Sequence, residues 1–303
     1  MTAPNAVLMA AALAVGLGWL YAGLRPRVLR LAPARRARLL LLLAALPAGL
    51  GALHAAVCLA SVACFFHRHG ALPALCELHP ASAASWILTG LLLVALGGPL
   101  VRTLRREGTS RRRLRQLSGS ARLVEGARLV ESDAPFAAAT DREILLSSGL
   151  LRHISPTLMP AVVAHERAHV RRRDPTRMRW AMRLTTLWLP RARRVLLADL
   201  ELACEQACDE HAAEVVGDRV LVAQALMAVE RLLGHPVALQ PAAQPFHGGC
   251  FVARVEALLD PPRPAGSLWV EGGQALSVLA LALALTDPLH HLTEALVAAL
   301  GLV

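Results

Sequence analysis

The sequence contains no lysine, so all 32 of its basic residues are arginine. That one-sidedness reads as coding bias more than as function. Aromatic residues make up only 4% of the chain, with a single tyrosine, and charged residues only 18%. A net charge of +10 could point to nucleic acid. The arginines, however, gather beside apolar runs and lack the aromatic company that base stacking needs, so no direct nucleic-acid partner is expected. The six cysteines, at 58, 64, 76, 204, 208 and 250, form no C-x-x-C pair. This excludes a zinc knuckle and a thioredoxin-like motif. Cys64 and Cys76 flank a short loop and could bridge. No internal repeat or low-complexity tract appears.

What the chain has in abundance is apolar surface: 55% hydrophobic residues and a mean hydropathy of +0.47. Ala6 to Leu24 is a 19-residue run without charge, long enough to cross a bilayer. Its positive charges follow the run instead of preceding it, which disfavours a cleaved signal peptide. Arg25, Arg27, Arg30, Arg35, Arg36 and Arg38 come next. By the positive-inside rule they place that loop in the cytoplasm and the N-terminus outside. A second run, Leu39 to Phe66, is softened by Pro47, Gly49 and Gly51, and a third spans about Ala81 to Val101. The exit of the third carries Arg102, Arg105, Arg106, Arg111, Arg112, Arg113 and Arg115, which returns the chain to the cytoplasm. A last apolar run, Leu268 to Leu285, includes Glu271 and Gln274. It is expected to be a fourth span, with a helix lying on the membrane surface as the alternative.

The expected fold is therefore mostly α: a helical membrane protein of about four spans with an inserted α+β cytoplasmic domain. The expected division is a membrane domain over 1–102, a cytoplasmic domain over 103–266 and a final span with tail over 267–303. Within the middle domain, Ala121 to Ser132 reads as one or two short strands, and Pro135 to Thr140 and Glu143 to Leu146 as further strands. A turn is expected at Ser147, Ser148 and Gly149. A helix opens at Met159 or Pro160 and ends at Asp174-Pro175. Pro175 to Leu189 mixes arginines with methionine, leucine and tryptophan. It fits either a core helix or one lying on the inner leaflet. Longer and shorter helices are expected over about Arg194 to Val216 and over Phe251 to Leu259.

The helix from Met159 carries His165-Glu-Arg-Ala-His169. Histidines four apart project from one helical face and can share a zinc ion, one per chain, while Glu166 beside them can serve as general base. A third ligand is needed. Glu201, Glu205 and Asp209 follow at steps of four on one helical face, where three carboxylates would repel unless a cation lies near. Glu205 is the expected ligand and Glu201 the alternative. Asp209, one turn on, can bond the far nitrogen of a ligating histidine. Cys204 and Cys208 read as buried packing residues. His211, His247 and Arg254 are candidates for stabilising an oxyanion.

With these residues in place the chain resembles the membrane gluzincin peptidases of the BlaR/MecR antirepressor type. The resemblance rests on several stretches. They are Pro135-Phe136-Ala-Ala, Ile144-Leu-Leu-Ser-Ser-Gly149, the H-E-x-x-H helix with its Asp174, Leu187-Trp188-Leu189-Pro190, Glu205-Gln-Ala-Cys208-Asp209, and Arg254-Val-Glu-Ala-Leu-Leu259. It implies zinc on His165, His169 and Glu205, catalysis by Glu166, a supporting role for Asp209 and an extended substrate paired along the strand near Phe136. It also implies a bacterial inner-membrane location and regulatory proteolysis of a protein or peptide substrate such as a transcriptional repressor. The β-lactam sensors of that group carry an extracellular penicillin-binding domain after the last span. This chain ends at Val303 and has no S-x-x-K, S-D-N and K-T-G set, so β-lactam sensing is not carried over. The alternative class is a non-catalytic membrane signalling or scaffold protein with a structural zinc site. The intact Glu166 and the three-ligand set argue against it.

Overall fold

A computed structural model describes residues 3–59, 83–119, 121–124, 127–233 and 247–261. The 64–76 cysteine pair, the intervening loop and the expected fourth span lie outside those residues. Among the described residues, three helices are long and apolar enough to cross a membrane: α1 (Ala3–Val28), α2 (Pro33–Leu59) and α3 (Ala83–Gly119). Their apolar windows are Val7–Val28, Pro33–Leu53 and Trp86–Thr109. α3 leaves Trp86, Leu91, Leu93 and Val94 between 55% and 79% exposed, an apolar face that suits lipid. It then continues as one helix through the arginine-rich exit. The protein is thus mostly α and membrane-associated, with one small sheet.

That sheet has strand order β1-β2-β4-β3. β1 (Arg122–Val124) and β2 (Ala127–Val130) pair antiparallel, β2 runs parallel to β4 (Ile144–Ser147), and β3 (Ala137–Ala139) pairs antiparallel with β4 at the far edge. β4 is buried along its whole length, as a central strand covered on both faces should be. The turn expected at Ser147 to Gly149 is instead the start of a helix, α4 (Ser148–His153). Ser147 caps it, its Oγ accepting from Leu150 N at 3.0 Å and also from Phe136 N at 2.8 Å. Gly149 is required there, because a Cβ would meet the Asp133 carbonyl oxygen at 2.2 Å.

Beyond the sheet come α5 (Met159–Arg172), α6 (Asp174–Leu184), a 3₁₀ turn (Thr185–Leu187), α7 (Pro190–Val216), α8 (Arg219–Leu233) and α9 (His247–Leu259). α7 begins at Pro190, a turn earlier than expected. It stops at Gly217, whose φ of 77° is the left-handed termination that glycine adopts freely. α8 was not foreseen, although Asp218 Oδ1 accepts from the N–H groups of Val220 and Leu221 as an ordinary N-cap. Two apolar clusters result. One packs β2 and β4 with α4, α5, α8 and the C-terminal parts of α7 and α9. The other packs α1 and α2 with Ala181, Trp188 and the first half of α7. α7 passes through both, and its position fixes where the site lies.

Candidate metal centre

α5 is the helix of the H-E-x-x-H segment, with Pro160 in its first turn and a left-handed residue, Arg173 (φ 55°), at its end. That reversal lets α6 start at once with Asp174, which is only 5% exposed. α7 crosses α5 so that Glu205 faces both histidines. His165 Nε2 lies 3.5 Å from Glu205 Oε2, His169 Nε2 lies 3.3 Å from Glu205 Oε1, and the two Nε2 atoms are 3.1 Å apart. Donors held at about 2.0–2.1 Å by a tetrahedral zinc would be roughly 3.3–3.4 Å from one another. The three donors already have nearly that spacing, so the donor set and its arrangement fit zinc.

The far side of each ring explains the orientation. His165 Nδ1 is 2.9 Å from Asp209 Oδ1, and His169 Nδ1 is 3.2 Å from Asp174 Oδ2. A carboxylate at Nδ1 keeps the proton there and leaves the Nε2 lone pair facing the shared point. Two such lone pairs 3.1 Å apart repel unless a cation or proton lies between them. The titration behaviour reflects this. Burial works against a charged His169 ring, yet Glu205 and Asp174 overcome it and hold its pKa well above the usual value. His165 is raised in the same way, against its burial, by Asp209 and Glu205. Glu205 is buried too, but Arg254 and His169 keep it ionised far below the normal carboxylate range.

Sequence reasoning used Asp174 as a helix terminator and as part of the resemblance, without giving it a role toward His169. Asp174 also accepts from Arg172 Nε at 3.0 Å and from the Cys208 thiol at 3.4 Å. Cys208 Sγ lies 3.3 Å from His169 Nδ1. Burial pushes its pKa up to about 11, and that of Cys204 to about 12, so both remain thiols packed under the site. Arg254, one of the oxyanion candidates, is occupied otherwise. It holds Asp209 through Nε and Nη2, each at 2.8 Å, and Glu205 Oε2 through Nη1 at 2.9 Å. His211 turns to Arg171 at 3.0 Å and does not line the cavity. The His247 side chain lies outside the described residues. Glu201 sits on the cavity rim, one turn before Glu205, and is not part of the converging set.

The histidines open into a cavity of about 410 Å³ walled by β3, α5, α7 and α8, with Ala137 and Ala139 on the strand side. Glu166 lines it as well, and its side chain makes no hydrogen bond or ion pair within the described residues. β3 offers it a sheet edge, with a direction that the register settles. Ser147 N donates to Phe136 O at 3.0 Å and Thr140 N to Glu143 O at 2.9 Å. In an antiparallel pair alternate residues bond inward, so Ala138 also turns its N–H and C=O to β4. The outward backbone groups are those of Ala137 and Ala139.

A helix-borne histidine pair, a carboxylate from a following helix and a glutamate that is unpaired among the described residues have the arrangement that metal-dependent hydrolysis needs, and they form a candidate site for it. Residues 114–192 match the family model described as Peptidase family M48. This supports a membrane-type zinc metallopeptidase and does not reach the BlaR/MecR subtype. The matched stretch runs from the end of α3 into the first turn of α7. It contains His165, Glu166, His169 and Asp174, and stops before Glu205 and Asp209. No curated protein and no solved structure matches the chain.

Proposed function

We propose that the protein is a membrane-anchored zinc endopeptidase that cuts a protein substrate at an extended, membrane-proximal segment on the cytoplasmic side. The observation that carries this reading is the convergence of His165 Nε2, His169 Nε2 and Glu205, with both Nδ1 atoms on carboxylates. Zinc, held by those three residues, would supply Lewis acidity to water and to the scissile carbonyl. The remaining work falls to the chain. Glu166, which lines the cavity and has no partner among the described residues, takes a proton from the attacking water and returns it to the departing amine. The outward N–H and C=O groups of Ala137 and Ala139 hold the substrate backbone as an added strand. Asp209 and Asp174 keep the two rings in the tautomer that binds metal, and Arg254 balances the negative charge of Glu205 and Asp209.

The domain division at about residues 102 and 266 belongs to the same proposal, as does the outside N-terminus. Reporter fusions at Ser118 and Gly70 should report opposite sides, with Ser118 in the cytoplasm. A regulatory substrate, such as a transcriptional repressor or the protein itself, is the reading the resemblance favours. The deciding experiment measures zinc content and cleavage of a candidate cytoplasmic repressor in wild type and in Glu166→Gln. Undiminished cleavage by Glu166→Gln, with zinc bound, would overturn the role given to Glu166, and a zinc-loaded wild type that cuts no such substrate would overturn the endopeptidase reading.

A further inference from the structure

The link between α6 and α7 lies deeper along α1 than a cytoplasmic loop should. The Ala192 Cβ would be 3.1 Å from a Cβ on Gly18, and the Trp188 ring within 3.9 Å of it. Gly18 is seven residues before Arg25, so these contacts occur roughly 10 Å inside the end of the charge-free run. At that level α1 exposes Trp19 (74%) and Leu20 (55%), a surface that requires lipid around it. Farther along α7, Asp199 bonds Arg25 and Tyr21, and Gln206 bonds Arg36 near the α1–α2 turn. α7 therefore climbs from the membrane interior toward the arginine-rich face, alongside α1.

The tip itself is built for a medium without water. Where α6 ends, three backbone carbonyls are met by side chains: Ala181 O, which also accepts from Thr185 N–H, by Thr185 Oγ1 at 2.6 Å, Arg183 O by Thr186 Oγ1 at 2.7 Å, and Met182 O by Arg193 Nη2 at 3.0 Å. Irregular backbone at membrane depth persists only when satisfied in this way. The outward residues of the tip are Leu189, Pro190, Arg191 and Arg194. They form an apolar apex followed by two long arginines, of which Arg194, the nearer to Asp199, can reach back toward lipid phosphate.

We propose that the segment from Thr185 to Arg194 is a monotopic insertion, seated among the acyl chains of the leaflet that ends at Arg25, with Arg194 reaching back toward its phosphates. It would give the peptidase part a lipid anchor of its own, separate from the three spans. Glu205 lies six residues beyond Asp199 on α7, so the metal site would stand only about 9 Å outside that leaflet boundary.

The test uses the full-length protein in phospholipid nanodiscs, with photoreactive benzoylphenylalanine in place of Trp19, Leu189 or Val220 in turn. Val220, 54% exposed on α8, reports the peptidase surface. Lipid adducts found by mass spectrometry at positions 19 and 189, and none at 220, are the expected result. An adduct at 19 with none at 189 would overturn the insertion. The same probe in place of Arg191 repeats the reading should the 189 variant fail to fold. Neither measurement depends on zinc or on peptide cleavage, so the outcome is separate from that of the proposed activity.

Discussion

Asp199 and Glu205 are acids on the same helix, and they face different partners. The Asp199 oxygens are filled by cation and hydroxyl: Oδ2 accepts from Arg25 Nε and from Tyr21 OH, both at 2.6 Å, and Oδ1 from Arg25 Nη2 at 2.9 Å. Glu205 has one arginine contact, and both its oxygens also face imidazole nitrogens whose protons sit on the other side of the ring. The first arrangement is complete and locks α7 to α1. The second leaves lone pairs converging on one point. What else points at an acid fits it for a metal, and burial does not, since Asp199 is the more buried of the two.

The largest effect should come from breaking that contrast directly. Glu205→Ala should purify largely free of zinc, since losing one of three protein ligands leaves an incomplete site. Asp199→Ala should keep its zinc while losing about 1–3 kcal/mol of stability, because the Tyr21 hydroxyl is left unsatisfied. Metal content and thermal unfolding in detergent separate the two. Zinc retained in Glu205→Ala but lost in Glu201→Ala would move the ligand role one turn back.

Next in size is Glu166→Gln. It removes the proton acceptor and leaves every converging donor in place, so zinc should stay at wild-type content. Turnover should fall by about 10²- to 10⁴-fold. A smaller loss would mean that another group takes the proton.

The two aspartates behind the histidines sharpen the comparison further. Asp174→Asn and Asp209→Asn should each weaken zinc binding by about 10- to 100-fold, read by chelator competition. Similar losses are expected because each acid fixes one ring. An effect from Asp209→Asn alone would make Asp174 a helix-joint residue and no more.

How far these residues could be read from sequence follows from how each is connected. His165, Glu166 and His169 lie within one turn and a half of a helix, and Glu205 and Asp209 within one turn of another, so helical spacing groups them. The role of Asp174 toward His169 was missed because it depends on the left-handed Arg173 that turns α6 back toward α5, and one positive φ leaves no periodic trace. A visible clue was an acid directly before a proline at the close of the motif helix. Arg254 was singled out for its chemistry, but its bonds to Glu205 and Asp209 were not legible, since only packing places α9 against them. Three of the four apolar runs fall on helices long and apolar enough to cross a membrane, and the fourth lies outside the described residues. The runs could not reveal that Arg25 pairs with Asp199, 174 positions later. α8 was legible and overlooked: Gly217-Asp218 is a stop followed by a cap, ahead of a periodic apolar run.

The smallest predicted effect compares two residues of one type in one strand. Ala138 and Ala139 are adjacent alanines of β3, but the register turns their backbones opposite ways. Ala138 bonds to β4. Ala139 directs its N–H and C=O to the open edge, beside the cavity that holds the histidines. Proline removes the donor in either case. Ala138→Pro should cost a ladder bond inside the sheet, lower the melting temperature and disturb activity only as a consequence. Ala139→Pro falls at an outward position where a sheet tolerates proline, so melting temperature and zinc content should remain unchanged. If the edge holds substrate, Ala139→Pro loses one peptide hydrogen bond to it, and kcat/KM should fall roughly 3- to 10-fold. Unchanged kcat/KM in Ala139→Pro, with the fold intact, would end the added-strand reading. The same loss in both variants, with equal melting temperatures, would mean that the strand register is not the one described.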